Sequence, residues 1–187
     1  AGSLVLISTG ASIGFVTRIL PDGWIDPVFG INGFYLEFGM ETGVTAVGVD
    51  PSGRIWLLGR LLADGTGWWI FQLLDTVGNP TDNRALTFPG YGFETTIPTA
   101  MAFQPDGNVL LGGWGKTGSP DFFASMAVAR ILGSTLNLDP TFGGGGTGEL
   151  VITDFESAYL RAIAFQPDRS IVVAGEYGLL NQENLVV

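Results

Sequence analysis

The sequence predicts an all-β protein of tandem four-stranded antiparallel blades, β-propeller-like, with about three and a half repeats that are open or completed by another copy. Three observations predict it. The first is self-similarity: Ala46-Val-Gly-Val-Asp50-Pro51-Ser52-Gly53-Arg54-Ile55-Trp56-Leu57-Leu58-Gly59 recurs as Ala100-Met-Ala-Phe103-Gln104-Pro105-Asp106-Gly107-Asn108-Val109-Leu110-Leu111-Gly112. It recurs again as Ala162-Ile-Ala-Phe165-Gln166-Pro167-Asp168-Arg169-Ser170-Ile171-Val172-Val173-Ala174-Gly175, so the prolines stand 54 and 62 residues apart. The second is the absence of a helical period, since Gly or Pro interrupts almost every ten residues. The third is that the strands are short and continuously apolar, as in sheets covered on both faces.

Taken along the chain, each element has a local reason. Residues 2–7 (Gly-Ser-Leu-Val-Leu-Ile) read as the second half of the repeated unit. A loop comes next over 18–30, Arg-Ile-Leu-Pro-Asp-Gly-Trp-Ile-Asp-Pro-Val-Phe-Gly. Each of the three hairpins ends an apolar strand at Pro-Asp-Gly or a variant, in which Pro presets φ and Gly supplies φ > 0. A third strand is expected at 68–74 and again at 127–132. The loop of 18–30 returns at 130–143 and leads to a fourth strand over 148–153, whereas its middle copy at 74–82 has drifted. Four short strands per ~50–60 residues is the arrangement of a propeller blade. The repeats divide as a partial unit over 1–30 and units over 31–84, 85–143 and 144–187.

Composition narrows function by exclusion. With 18 Asp+Glu against 8 Lys+Arg the net charge is −10, and Lys116 is the one lysine. A nucleic-acid surface needs a basic stripe, so no nucleic-acid partner is expected. No Cys excludes disulfides and thiolate chemistry, and no His removes the commonest general base. At 46% hydrophobic the chain is too apolar to be disordered. No apolar run reaches the ~18–20 residues of a membrane helix, and the strands lack the ten-residue alternation of a membrane barrel. The first residues have no basic leader region, so a signal peptide is either already removed or was never there. Acidic, lysine-poor composition fits an extracellular or cell-surface setting.

Motifs with a chemical meaning fail on context. Gly10-Ala11-Ser12-Ile13-Gly14 matches a nucleophile elbow, which needs a histidine the chain lacks. The glycines of 143–148 fit a dinucleotide fingerprint but link a loop to a strand instead of a strand to a helix. Gly115-Lys116-Thr117 lacks the upstream glycine of a phosphate loop, Leu110 standing in its place. No pair among the carboxylates stands out as a glycosidase pair, and no catalytic residue or other cofactor is assigned. Asp22, Asp26 and Asp139 flank equivalent loops and are candidate Ca²⁺ ligands, against the plainer reading of turn residues. Trp24 and Trp114 lie near turns and are candidate glycan platforms. Trp56 and one of Trp68 and Trp69 read as core.

The Gln-Pro-Asp-Gly-Asn-Val-Leu-Leu-Gly-Gly segment at 104–113 and the Asp-Gly-x-x-Asp-x-x-Phe-Gly loop at 22–30 resemble the delta-60 repeats. The resemblance covers nearly the whole chain, is strongest at 100–113, 130–143 and 162–175, and is weakest at 75–99. It implies a bacterial, secreted or surface protein of propeller type, and it brings no catalytic residues.

Three and a half blades do not close a propeller of four to eight. Either the chain is part of a longer protein, or its open ends pair with neighbouring copies into a ring or filament. The expected joints are Leu4, Val5, Leu6 and Ile7 at one end and Leu185, Val186 and Val187 at the other. The expectation is therefore a non-catalytic structural or interaction protein that assembles with itself by strand addition, with a glycan-binding module as the alternative.

Overall fold

A computed structural model describes residues 2–5, 12–37, 43–63, 66–118, 123–154 and 157–178. Within these residues there is no helix, and thirteen strands form four antiparallel sheets, none of them closed. The first sheet is β1 (Gly2–Val5), β2 (Ser12–Thr17) and β3 (Phe34–Glu37), in that order. The second is a meander of β4 (Val44–Val49), β5 (Ile55–Ala63), β6 (Thr66–Leu74) and β7 (Pro80–Leu86). The third repeats it with β8 (Phe93–Phe103), β9 (Val109–Thr117), β10 (Ala124–Ile131) and β11 (Glu149–Ile152). The fourth pairs β12 (Ala158–Phe165) with β13 (Ile171–Tyr177).

The sheets stack face on face, which is why strands such as β5 carry apolar residues on both of their faces. Along a strand successive side chains point to opposite faces. Leu57 accordingly enters a core shared with Val16 and Phe29 of the first sheet's residues, while Leu58 enters one shared with Val109, Leu111 and Ile131 of the third. Leu111 and Leu110 divide in the same way, Leu110 joining Leu160 of the fourth sheet. Trp56, Trp69, Phe71 and Phe88 fill the central core, with Trp56 stacked on Phe71 at 5.1 Å and Phe88 edge-on to Trp69 at 4.6 Å. Both tryptophans expected in the core are there. Close approach demands small residues: a Cβ added to Gly48 would lie 2.4 Å from the Phe103 ring, and one added to Gly112 would lie 2.3 Å from Ile163.

One five-residue turn occurs five times. At 50–54, 104–108 and 166–170 the first residue's N–H donates to the fifth's carbonyl and its own carbonyl accepts the fourth's N–H. The same bonds close 20–24 and 75–79, so the drifted middle loop keeps the turn and loses only the Asp-Pro-x-Phe-Gly ending. The fourth position has φ of 84° at Gly53, 86° at Gly107 and 90° at Gly78, where glycine is favoured. In the last hairpin that position is Arg169, with φ of 71°.

Three features differ from the sequence expectation. The last strand of each of the first three sheets comes after the loop at 18–30, 74–82 or 130–143, so the sheets divide between 37 and 44, 86 and 93, and 152 and 158, not at the repeat boundaries 30, 84 and 143. Strand β7 is largely polar (Pro-Thr-Asp-Asn-Arg-Ala-Leu) because most of its side chains face solvent. The leading strands β4, β8 and β12 each skip a residue in register, at Thr45, Thr99 and Arg161. These are one repeat position, a bulge that bends the first strand of each of these sheets. Thr45 there donates to the Leu58 carbonyl at 3.0 Å and Thr99 to that of Leu160 at 2.6 Å.

Candidate functional site

The two related loops are each locked by an arginine. Asp26 Oδ2 accepts from Arg18 Nε at 2.7 Å, its Oδ1 accepts from the Val28 amide at 3.0 Å, and the guanidinium lies 5.3 Å from the Phe29 ring centre. In the other loop Asp139 Oδ2 accepts from Arg130 Nε at 2.7 Å and Oδ1 from the Thr141 hydroxyl at 2.7 Å, with Arg130 5.0 Å from the Phe142 ring. The Val28 amide and the Arg18 guanidinium hold the Asp26 carboxyl below its ordinary range against the opposing effect of burial. For Asp139 the Thr141 hydroxyl and amide come first and Arg130 adds to them. Arg18 also donates to the Thr76 carbonyl at 2.5 Å, tying its loop to the second sheet.

These contacts bear on the calcium candidates. Asp26 and Asp139 already face a guanidinium and backbone amides, which is the donor set of a structural clasp and not of a cation cage. Asp22 caps the Trp24 amide at 3.1 Å on the exposed side of its turn. Among the described residues no three acidic side chains converge on one point.

Asp50 is a third and tighter clasp. Its Oδ1 accepts from the Ser52 hydroxyl at 2.6 Å and the Arg54 amide at 3.0 Å; its Oδ2 accepts from Arg54 Nε at 2.7 Å and from the Trp56 indole at 3.0 Å. Burial alone would raise this carboxyl, but the bonds from Ser52, Trp56 and Arg54 outweigh it and bring it down to about 2. Arg54 then donates to the Gly133 carbonyl of the third sheet's loop at 2.9 Å. Glu149 is buried between the second and third sheets, and burial pushes its carboxyl up to about 6.

The two tryptophans proposed as glycan platforms part company. Trp24 is 75% exposed on its turn. Trp114 is half-buried, edge-on to Tyr159 at 4.9 Å, with an indole N–H enclosed and without a hydrogen-bond partner. It is a packing residue between the third and fourth sheets and offers no open platform. Beside the first sheet runs an apolar groove of about 990 Å³ lined by Phe15, Ile31, Phe34, Tyr35, Leu36 and Pro80 among others.

Several apolar side chains on the faces of the sheets are also exposed. We call front the face a sheet turns to the sheet before it, and back the face it turns to the sheet after it. On the front, Ile131 of β10 is fully buried while Ile19, its equivalent beyond β2, is 56% exposed. On the back, Trp56 and Leu110 are fully buried while Val172, their equivalent in β13, is 45% exposed. Front positions Val47 and Val49 of β4 and back position Leu150 of β11 are exposed as well. Sequence reasoning located strand edges and missed these faces, because a face is visible only once the sheets are stacked and the bare positions are compared with covered ones.

Of the expected joint residues, Leu4 and Val5 lie in β1 and pair with Ile13 and Ser12. Their strand ends the first sheet, as β13 ends the fourth. Leu6, Ile7, Leu185, Val186 and Val187 lie outside the described residues. Compared with known proteins, the chain matches no protein-family model and no curated protein.

Proposed function

We propose that this chain is a non-catalytic, extracellular structural or interaction protein of propeller-type repeats, related to the delta-60 repeats, which assembles with its own copies into a ring or filament. The observation that supports this reading is that, among the described residues, the first sheet ends on β1 and the fourth on β13. An unpaired edge offers a row of main-chain donors and acceptors, and strand addition is the direct way to satisfy it. The low charged fraction of 14% supports a surface meant to be covered. The arginine clasps supply rigidity to the loops. Negative-stain electron microscopy tests the reading, with rings or regular filaments expected. Deleting 184–187 is expected to abolish assembly and leave the internal sheets folded; unchanged oligomers would defeat the edge mechanism.

A second reading, a glycan-binding module, is favoured by Trp24 alone. An exposed indole on a locked turn is a stacking platform for the apolar face of a sugar ring. It predicts glycan-array binding that Trp24→Ala removes and Trp114→Ala does not remove directly. An array without signal would end it.

A further inference from the structure

We infer that the loop of residues 18–31 docks on a membrane, seating Trp24, Val28 and Ile31 in the interfacial layer of an electrically neutral phospholipid bilayer. Among the described residues these are the three most exposed large apolar side chains, at 75%, 70% and 81%. The inference concerns a single copy of the chain and is independent of the assembly reading above.

Their positions in the repeat separate them from the packing of sheets. The Trp24 carbonyl closes its turn by accepting from the Leu20 amide at 2.8 Å, as the carbonyls of Asn79 and Asn137 accept from the amides of Asp75 and Leu132. Counted from the clasp residues Asp26 and Asp139, Val28 matches Thr141 and Ile31 matches Gly144. Asn79, Asn137, Thr141 and Gly144 belong to the second and third sheets, each of which has another sheet packed on its front, and all four are exposed. A preceding sheet therefore leaves these positions in solvent, and nothing in the stacking asks for apolar residues there. The interior copies carry Asn, Thr and Gly, as solvent favours, whereas the 18–31 loop carries Trp, Val and Ile.

The loop is also able to leave water. A backbone N–H carried into an apolar layer without an acceptor is costly, so a segment that docks there has to satisfy its own main chain. From Asp26 to Ile31 each N–H has an acceptor within the protein. Asp26 donates to the Arg18 carbonyl, Val28 to Asp26 Oδ1, Phe29 to the Asp26 carbonyl, Gly30 to that of Val77 and Ile31 to that of Phe34, while Pro27 has no N–H. The Trp24 amide donates to Asp22 Oδ1 at 3.1 Å. The buried Asp26 carboxylate is matched by Arg18 Nη2 at 2.6 Å. Asn32 and Gly33, with φ of 53° and 90°, reverse the chain in a tight turn and hold Ile31 at its start. Val77, exposed on the turn that accepts from Gly30, widens the apolar tip.

A bilayer is the occupant this surface fits. Side chains so exposed protrude, and a fluid interface closes around protrusions, whereas a small-molecule or sugar site is a concavity. Tryptophan favours the headgroup level of a membrane, with aliphatic side chains beside it reaching the acyl boundary. Charge selects the lipid. Asp22 is exposed next to Trp24, the Arg18 guanidinium is engaged by Asp26, and the whole chain carries −10. Such a surface is repelled by anionic headgroups and accepted by zwitterionic phosphatidylcholine.

The test is co-sedimentation of the full chain with phosphatidylcholine vesicles, and with vesicles in which phosphatidylserine replaces part of the lipid. Wild type is expected to bind the first and to bind less as phosphatidylserine is added. Val28→Asp and Ile31→Asp, both at exposed positions, are each expected to keep the wild-type urea unfolding and to weaken vesicle binding by about tenfold or more. Trp24→Phe is expected to bind nearly as wild type while losing most of the quenching of tryptophan emission by lipids brominated on the acyl chains. Val28 and Ile31 also separate this docking from sugar stacking on Trp24, which needs neither of them. A wild type that stays in the supernatant overturns the proposal, as does vesicle binding that the two Asp variants leave unchanged. Binding that strengthens with phosphatidylserine overturns the choice of a neutral surface. A wild type that associates without lipid and is dispersed by Val28→Asp gives the tip to a contact between copies and overturns the docking.

Discussion

Trp56 and Val172 occupy the same position in the repeat, second residue of the strand after the hairpin turn, and one is sealed in the central core while the other stands 45% exposed. Ile131 and Ile19 differ in the same way with the same side chain. Burial in a stacked-sheet protein therefore belongs to the interface a residue has, and not to the residue or its strand. An apolar residue at a repeat position whose equivalents are buried marks a face built to be covered.

Truncation should separate the two regions most sharply. Trp56→Ala removes a fully buried indole that also donates to Asp50, and is expected to cost about 3–5 kcal/mol in urea unfolding. Val172→Ala, at the same repeat position, should cost less than about 0.5 kcal/mol under conditions that keep copies apart. Comparable losses at the two sites would mean that the end sheet is packed in the single chain, contrary to the comparison.

Asp50 sharpens the contrast between turns. Its equivalents are Gln104 and Gln166, neither of which gathers an arginine, so this clasp belongs to the second sheet alone. Asp50→Ala leaves the Arg54 and Trp56 donors unmatched and weakens the tie to Gly133; a loss of about 3 kcal/mol is expected. The carboxyl sits at about 2 in the fold against 3.8 ordinarily. Its stabilisation is therefore complete above pH 4 and disappears as pH falls toward 2. Wild type should lose stability across that window more steeply than Asp50→Ala.

The strands and hairpins of this fold were legible because each rests on neighbours in sequence. Pro-Asp-Gly sets its turn within five residues, and paired leucines such as Leu57-Leu58 announce two covered faces. Partners from another sheet were not legible. Trp114 reads as a turn residue until Tyr159 of the next sheet packs on it, and Asp26 and Asp139 read as cation ligands until Arg18 and Arg130, eight and nine residues earlier, fold back onto them. The bulge at Thr45, Thr99 and Arg161 was invisible because polar residues of different kinds fill one backbone irregularity. Strand β7 was missed for the opposite reason: its solvent-facing side chains erase the apolar signal.

Glu149 tests the interior from the other direction. Burial between the second and third sheets raises its carboxyl to about 6 from 4.5. A raised carboxyl stabilises the fold below its ordinary value and withdraws that contribution as pH rises through 6. Allowing for partial screening, wild type should lose about 1 kcal/mol between pH 4.5 and 7 that Glu149→Gln retains. A flat difference between the two proteins across this range would place the carboxylate in contact with water or a cation, and the interface there would be looser than the neighbouring Trp69 core.

The smallest effect lies back at the end sheet, in the turn of the last hairpin. Gly53 and Gly107 hold a left-handed conformation inside the stack, and Arg169 holds it at the edge, with φ of 71°. A side chain in that region carries strain that glycine does not, on the order of 1 kcal/mol, partly offset by the greater freedom glycine gives the unfolded chain. The turn's hydrogen bonds are the same in all three hairpins, 2.9 Å from the Gln166 amide to Ser170 and 2.9 Å from the Arg169 amide to Gln166, so they compensate nothing. Arg169→Gly is therefore expected to stabilise the fourth sheet by about 0.5 kcal/mol, read as slower amide exchange in β12 and β13, and Gly107→Arg to destabilise the third by a similar amount. The interior would then gain from ideal turn chemistry what the end gives up. If Arg169→Gly instead weakens pairing of copies while the single chain is unchanged, the arginine serves the joint, and the strain is retained for a contact made only in the assembly.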